Sequence, residues 1–264
     1  MKSFCSIHLS KLIRVVALFV LLVVCAPAQA WAQVSMSNLT SGRDTDGCSS
    51  GSACVSASIT WSAGDVLVLT FLGFGSGYDL TDANTITATG VTWTEVGTGN
   101  DAFGGNYTHS VYVGVAASGQ TTTVSIEPSV ALDDAAWIID RAATGTISTS
   151  APVTQTNKAT GTSATPSTTL AAFGSGSATY VSMCAENDPL GPGTGFTELD
   201  EQTGPFGGVP CNTAWRNDAD TTPDGTQAGS ALFTIIAAEL AIPGGGGGGG
   251  NNSKLLMLGI GQWQ

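Results

Sequence analysis

Beyond its first thirty-two residues the chain is poor in histidine, in positive charge and in helical periodicity, and each shortage removes a class of function. One histidine remains there, His109. A Ser–His–Asp relay needs an imidazole base, and no Gly-x-Ser-x-Gly turn opening a helix accompanies this one. His109 lies between Thr108 and Ser110 at the entry to a strand pattern, where it reads as an ordinary surface residue. Only Arg43, Arg141, Lys158, Arg216 and Lys254 carry positive charge in this part, against twenty Asp and Glu, a net charge of −15. Nucleic-acid affinity rests on Lys and Arg neutralising phosphates, so this balance tells against nucleic acid, and against anionic membrane surfaces for the same reason. It fits a solvated, soluble surface. Paired CxxC motifs are missing, which with a single histidine disfavours a zinc site.

The first thirty-two residues differ in kind. Lys2, Lys11 and Arg14 stand without any acid, the apolar run Val15–Val24 follows, and Ala28-Gln29-Ala30 and Ala30-Trp31-Ala32 both offer small-x-small cleavage. That order is the pattern of a secretory signal peptide, 1–32. The apolar run is shorter than the ~20 residues a membrane span needs, and Val24 before Cys25 tells against a lipoprotein signal. A secreted or cell-surface chain beginning near Gln33 is expected, with no membrane span after cleavage.

Four cysteines follow the signal: Cys48, Cys54, Cys184 and Cys211. In an oxidising compartment disulfides are expected, and four cysteines allow three pairings. Cys48 and Cys54 bracket a Gly/Ser loop that closes easily, which leaves Cys184 for Cys211.

Short β-branched runs bounded by Gly, Asn, Asp and Pro recur along the chain, the mark of an all-β antiparallel sandwich. Strands are expected over 55–61, 65–74, 85–89, 91–96, 108–116, 121–127 and 135–142, and again over 168–173, 179–185, 195–199, 212–216 and 230–240. The run Val66–Phe71 is almost continuously apolar and reads as a central strand covered on both faces. Segments 135–142 and 231–241 are rich in alanine, but Trp137, Ile138, Ile139, Phe233, Ile235 and Ile236 favour strands.

An internal repeat is read at an offset of 103 residues. It places Thr94-Glu95-Val96 on Thr197-Glu198-Leu199, Trp93 on Phe196, Phe103-Gly104-Gly105 on Phe206-Gly207-Gly208, and Tyr112 on Trp215. Two halves, about 55–145 and 165–243, are expected to close into one sandwich domain over 33–243. Segment 144–167 then serves as a crossover or linker. Gly244–Gly250 is a run of seven glycines that reads as a tether. The apolar tail 251–264 is expected to dock, either on its own sandwich edge or by strand addition to a neighbour.

The order Gly-Asp-Val-Leu-Val at 64–68, Val-Thr-Trp-Thr at 91–94, Ser-Val-Tyr-Val at 110–113, Gly-Gln-Thr-Thr-Thr-Val-Ser-Ile at 119–126 and Gly-Phe-Thr-Glu at 195–198 resembles a bacterial and phage-associated β-sandwich module of secreted surface proteins and virion appendages. The resemblance covers roughly Ser56 to Pro243. It implies an immunoglobulin-like or jelly-roll sandwich with a binding or scaffolding role, and carries no catalytic residue.

Few residues remain as candidate sites. Glu95 and Glu198, equivalent in the two halves, are the only carboxylate pair with a reason to converge for glycoside hydrolysis, though strand-end glutamates on a solvated face explain them equally well. Asp133-Asp134 and Asp200-Glu201 read as solvated turns. Asp218, Asp220 and Asp224, followed by Gly225, cluster hard oxygens suited to calcium, as do Asp44 and Asp46, but neither segment completes a twelve-residue calcium loop. Trp61, Trp93, Trp137 and Trp215 fall on strands and are expected in the core, which leaves Tyr78 and Tyr107, in loops, as ring platforms for a glycan. The sequence therefore points away from an enzyme. It favours a structural or adhesive surface module working through other protein subunits, its own copies included, with a secreted carbohydrate-binding module as the alternative.

Overall fold

The computed structural model describes residues 33–49, 51–75, 85–102, 106–173, 176–188, 190–202 and 209–243, without the side chains of 98–102. The expected signal peptide, Tyr78 and the C-terminal tail lie outside the described residues. No helix occurs among those described. The first half holds β1 (Met36–Asp44), β2 (Cys54–Val55), β3 (Ile59–Trp61), β4 (Val66–Phe74), β5 (Thr85–Thr87), β6 (Val91–Ala102), β7 (Tyr107–Ala116), β8 (Gln120–Thr122), β9 (Ser125–Glu127) and β10 (Asp134–Ala142). The second holds β11 (Val153–Ser163), β12 (Ser177–Ala185), β13 (Leu190–Pro192), β14 (Thr197–Gln202), β15 (Cys211–Arg216), β16 (Gly225–Gln227) and β17 (Ala231–Ala241).

Two antiparallel five-stranded sheets pack face to face, in the orders β1-β10-β4-β7-β6 and β11-β17-β12-β15-β14. Each sheet comes from one half of the chain, and among the described residues only the segment after Ala142 passes from one to the other. Counted within each half, ignoring the short strands, both orders read first, fifth, second, fourth, third. The stacking exchanges the sheets' edges. β6 lies across β11 and β17, while β14 lies across β1 and β10.

Alternation along the central strands explains the layers. In β4, Val66 and Val68 face the other sheet, whereas Leu67, Leu69 and Phe71 face outward with Tyr112, Trp137 and Ile139. Cys54, Ile59, Trp61, Val124 and Ile126, on or beside β2, β3, β8 and β9, cover that outward face. On the second sheet Val181, Met183, Phe233, Ile235 and Ala237 face outward and meet Leu170 and Leu190. A strand buried on both faces reads as a continuous apolar run, as β4 does. Each fully buried Val, Leu or Ile contributes about 1.5–3 kcal/mol, so the sheets are held by three apolar layers.

Trp93 and Trp137 also explain two glycines. Each ring lies over its cross-strand partner, Gly114 and Gly42 respectively. A methyl group at either glycine would come within 3 Å of the indole.

Several sequence expectations need correction. The expected strand 55–61 is broken, because Ser56 turns its hydroxyl to accept the Val124 N–H at 2.9 Å. Likewise 121–127 divides into β8 and β9. Residues 168–173 form no strand; the Thr168 and Leu170 N–H groups donate to the carbonyls of Pro223 and Thr221. Segment 144–167 contains an eleven-residue edge strand, β11, and β1 was also unforeseen. Both are edge strands, rich in Thr, Ser, Asn and Gly, whose pairing rests on backbone hydrogen bonds. The 103-residue offset fits β6 and β14, which carry a bulge at the same place, between Glu95 and Gly97 and between Glu198 and Asp200. It fails one strand later. Thr94 pairs with Val113 but Thr197 pairs with Trp215, so Trp215 corresponds to Val113 and not to Tyr112.

Candidate functional site

The cysteines pair as Cys48–Cys54 and Cys184–Cys211. The second bond links directly opposed residues of β12 and β15, and all four residues are buried. Two disulfides are consistent with an extracellular protein. Among the described residues no helix is long and apolar enough to cross a membrane.

The sequence candidates for chemistry do not converge. Glu95 lies on β6 and Glu198 on β14, edge strands on opposite sides of the sandwich. Arg216 holds Asp218 through Nε and Nη2 and Asp220 through Nη1 at 2.9 Å, so the guanidinium occupies two of the three expected calcium ligands. Asp224 lies apart from them, close against Gly193. Among the described residues no group of three or more His, Cys, Asp or Glu could hold a metal ion. Tyr107 opens β7 instead of lying in a loop, half-buried, its ring 4.8 Å from that of Phe74. Trp61, Trp93, Trp137 and Trp215 pack in or against the core, as expected.

Asp133 is exposed at a bend, as expected, but Asp134 and the pair Asp200-Glu201 differ from solvated turns. Asp134 is buried on β10, where Arg43 from β1 donates to both its oxygens, at 3.2 and 2.5 Å. Asp200 and Glu201 lie on β14. Burial, and a carboxyl hydrogen bond with Asp188, push the Glu201 carboxyl up to about 7.

The main concentration of polar side chains was not foreseen. It lies between the sheets, at inward positions of six strands. The Asn38 amide (β1) donates to Asp140 Oδ1 (β10) at 3.1 Å, and the Tyr180 hydroxyl (β12) donates to Asp140 Oδ2 at 2.9 Å. Thr70 Oγ1 (β4) lies 3.3 Å from the Tyr180 hydroxyl and donates to Ser182 Oγ (β12) at 2.9 Å. Ser182 Oγ is 2.8 Å from His109 Nε2 (β7), and His109 Nδ1 is 3.4 Å from Thr234 Oγ1 (β17). Ser182 Oγ accepts from Thr70, and the donor and acceptor roles of the two His109 ring nitrogens follow from the imidazole tautomer. His109 is thus no surface residue; its exposure is 0%.

Burial governs the electrostatics of this chain of groups. Desolvation lowers His109 to about 3, which keeps the imidazole neutral. Desolvation raises Asp140 to about 7, while hydrogen bonds from its neighbours, Asn38 and Tyr180 among them, pull the other way. It also drives the Tyr180 hydroxyl well above its ordinary range, with the Asp140 charge adding to it. A serine beside an imidazole would suit a nucleophile and its base. Here Ser182 and His109 are both fully buried, and the third member of the line is a threonine hydroxyl. The arrangement instead satisfies polar groups that would each be costly if left unpaired between two apolar layers.

The open surface has another character. A groove of about 350 Å³ runs between the inward side of β6 and β7 and the start of β11, lined by Thr92, Thr94, Val96, Val113, Val115, Thr149, Ser150, Pro152 and Val153. A second depression of about 490 Å³ shares Thr149 and Ser150 and reaches Pro243. No ionisable side chain lines either one. Comparison with protein-family models, with curated proteins and with solved structures finds no match.

Proposed function

We propose that the protein is an exported structural module that acts outside the cytoplasm by assembly with protein subunits or surface components, copies of itself included, and not by catalysis. The observation that carries this reading is the separation of chemistry from surface. His109, Asp140 and Tyr180 sit sealed between the sheets and Glu201 stands half-buried on the edge strand β14, while the open grooves offer hydroxyl and aliphatic side chains suited to packing. Two disulfides and a net charge of −15 after the first thirty-two residues support work in an oxidising, solvated compartment. The edge strands β1, β6, β11 and β14 supply surfaces for a partner. β11 offers nine residues, Gln155–Ser163, in unbroken register.

The test is the state of the purified chain from Gln33 onward, followed by light scattering and electron microscopy over a hundredfold range of concentration. Ordered oligomers or filaments that grow with concentration are expected. A strict monomer that turns over a polysaccharide or ester substrate would overturn the reading.

A further inference from the structure

We propose that the groove between β6, β7 and the start of β11 is the seat of the chain's own C-terminal segment, Leu255–Trp263, held in cis. This goes beyond the assembly reading and does not rest on it.

The groove has a physical origin in the pairing of the two sheets. Opposite the threonine that precedes each bulge, the first sheet carries Val113 and the second carries Trp215. Trp215 packs against the layer between the sheets beside Leu199, and Leu199 holds the bulge position that Val96 holds in the first sheet. The first half thus has a valine where the second has an indole, and the space that opens there is the groove. The missing filler is large, aromatic and apolar.

The described chain ends at the right place to supply it. After β17, Ile242 is buried and Pro243 lines the depression that shares Thr149 and Ser150 with the groove. Ten residues, Gly244–Ser253, separate Pro243 from Lys254. A glycine-rich run of that length has a root-mean-square reach of roughly 16–19 Å and a full reach of about 35 Å. The segment beyond it reads Leu255-Leu256-Met257-Leu258-Gly259-Ile260-Gly261-Gln262-Trp263. It brings aliphatic side chains and one indole to a lining of threonine, valine and proline. The segment itself is uncharged, and Lys254 just before it brings a positive charge to a strongly acidic body. A tether this short sets an effective concentration in the millimolar range, which favours the groove of the same subunit over a neighbour's.

Hydrogen exchange of the chain from Gln33 onward, beside one ending at Gly250, tests the proposal. Amides of 91–96 and 148–153 should exchange more slowly in the longer chain, by tenfold or more, at a dilution where light scattering reports monomers. Trp263 emission, taken as the difference between the chain and its Trp263→Phe variant, should be blue-shifted from that of a solvated indole. Leu256→Asp, which leaves the sandwich untouched, should abolish both effects, and Thr94→Arg at the exposed groove wall should do the same. Equal exchange in the two chains would overturn the proposal. So would protection that appears only where the mass doubles, since the segment would then sit on a neighbour. Mass reports assembly and exchange in the monomer reports docking, so failure of either reading is seen separately.

Discussion

Asp140 and His109 are shifted in opposite directions by the same cause, burial, and their effects on stability oppose each other. The folded protein holds the Asp140 proton up to about 7, whereas the unfolded chain releases it near 3.8; this contribution is present below 3.8 and is lost as pH rises to 7. The folded protein keeps His109 neutral down to about 3, whereas the unfolded chain takes up a proton near 6.5; this contribution is present above 6.5 and is lost as pH falls to 3. Between 3.8 and 6.5 the two slopes cancel. Urea unfolding of Asp140→Asn should show stability that rises with pH from 3.8 to 7 relative to the parent. His109→Gln should show the reverse, a relative loss from 3 to 6.5. Parallel pH profiles for both variants and the parent would contradict the two shifts. Tyr180→Phe removes the hydroxyl that donates to Asp140 and should lower stability by about 1–3 kcal/mol, the cost of a buried group left short of a partner. Denaturant midpoints at a single pH would measure it.

Between elements, the close approach of the sheets depends on Gly97. A Cβ there would stand 2.6 Å from Ile236 Cγ2 on β17, so β6 can lie across the second sheet only without a side chain at this point. Gly97→Val should cost about 1–3 kcal/mol by overpacking, and Ile236→Ala in the same chain should recover part of it. Additive losses in that pair of variants would argue against the contact. The disulfides should differ in weight. Cys184–Cys211 spans 27 residues and Cys48–Cys54 spans 6. On chain entropy their loss should cost about 3.5 and about 2.2 kcal/mol. Paired Cys→Ala variants, compared by thermal unfolding, would test the order. Edge strands explain why β1 and β11 were hard to read. Gln155 and Asn157 on β11 reach back to the backbone of Ala171 and Thr169, and no apolar stripe marks such a strand.

For the whole molecule, charge is the dominant long-range term. Arg43, Arg141 and Arg216 each pair with aspartates within the body, and the acids left over repel one another and any second copy. Added salt screens that repulsion. The melting temperature should rise between ~0.01 and ~0.5 M salt, with Debye lengths falling from about 30 Å to under 10 Å, and assembly should strengthen over the same range. Light scattering at fixed protein concentration would show it; assembly that weakens with salt would point instead to a contact built on ion pairs.

The strand content, the central place of β4 and the partners of all four cysteines were legible in the residues, because apolar alternation and the short loop from Cys48 to Cys54, which leaves Cys184 for Cys211, are local properties. Even the inward turn of His109 was within reach: it stands at even spacing from Val111 and Val113, as Thr70 does from Val68. What these positions face was not. The sequence by itself determined an all-β, disulfide-linked, acidic chain with a run of seven glycines before an apolar C-terminal segment. Only the tertiary structure decided that the halves become separate sheets, that Glu95 and Glu198 part to opposite edges, and that six strands bring scattered Thr, Ser, His, Tyr and Asp into one sealed line. Pairing across a sheet and stacking between sheets join residues more than a hundred positions apart, and no local pattern carries that information.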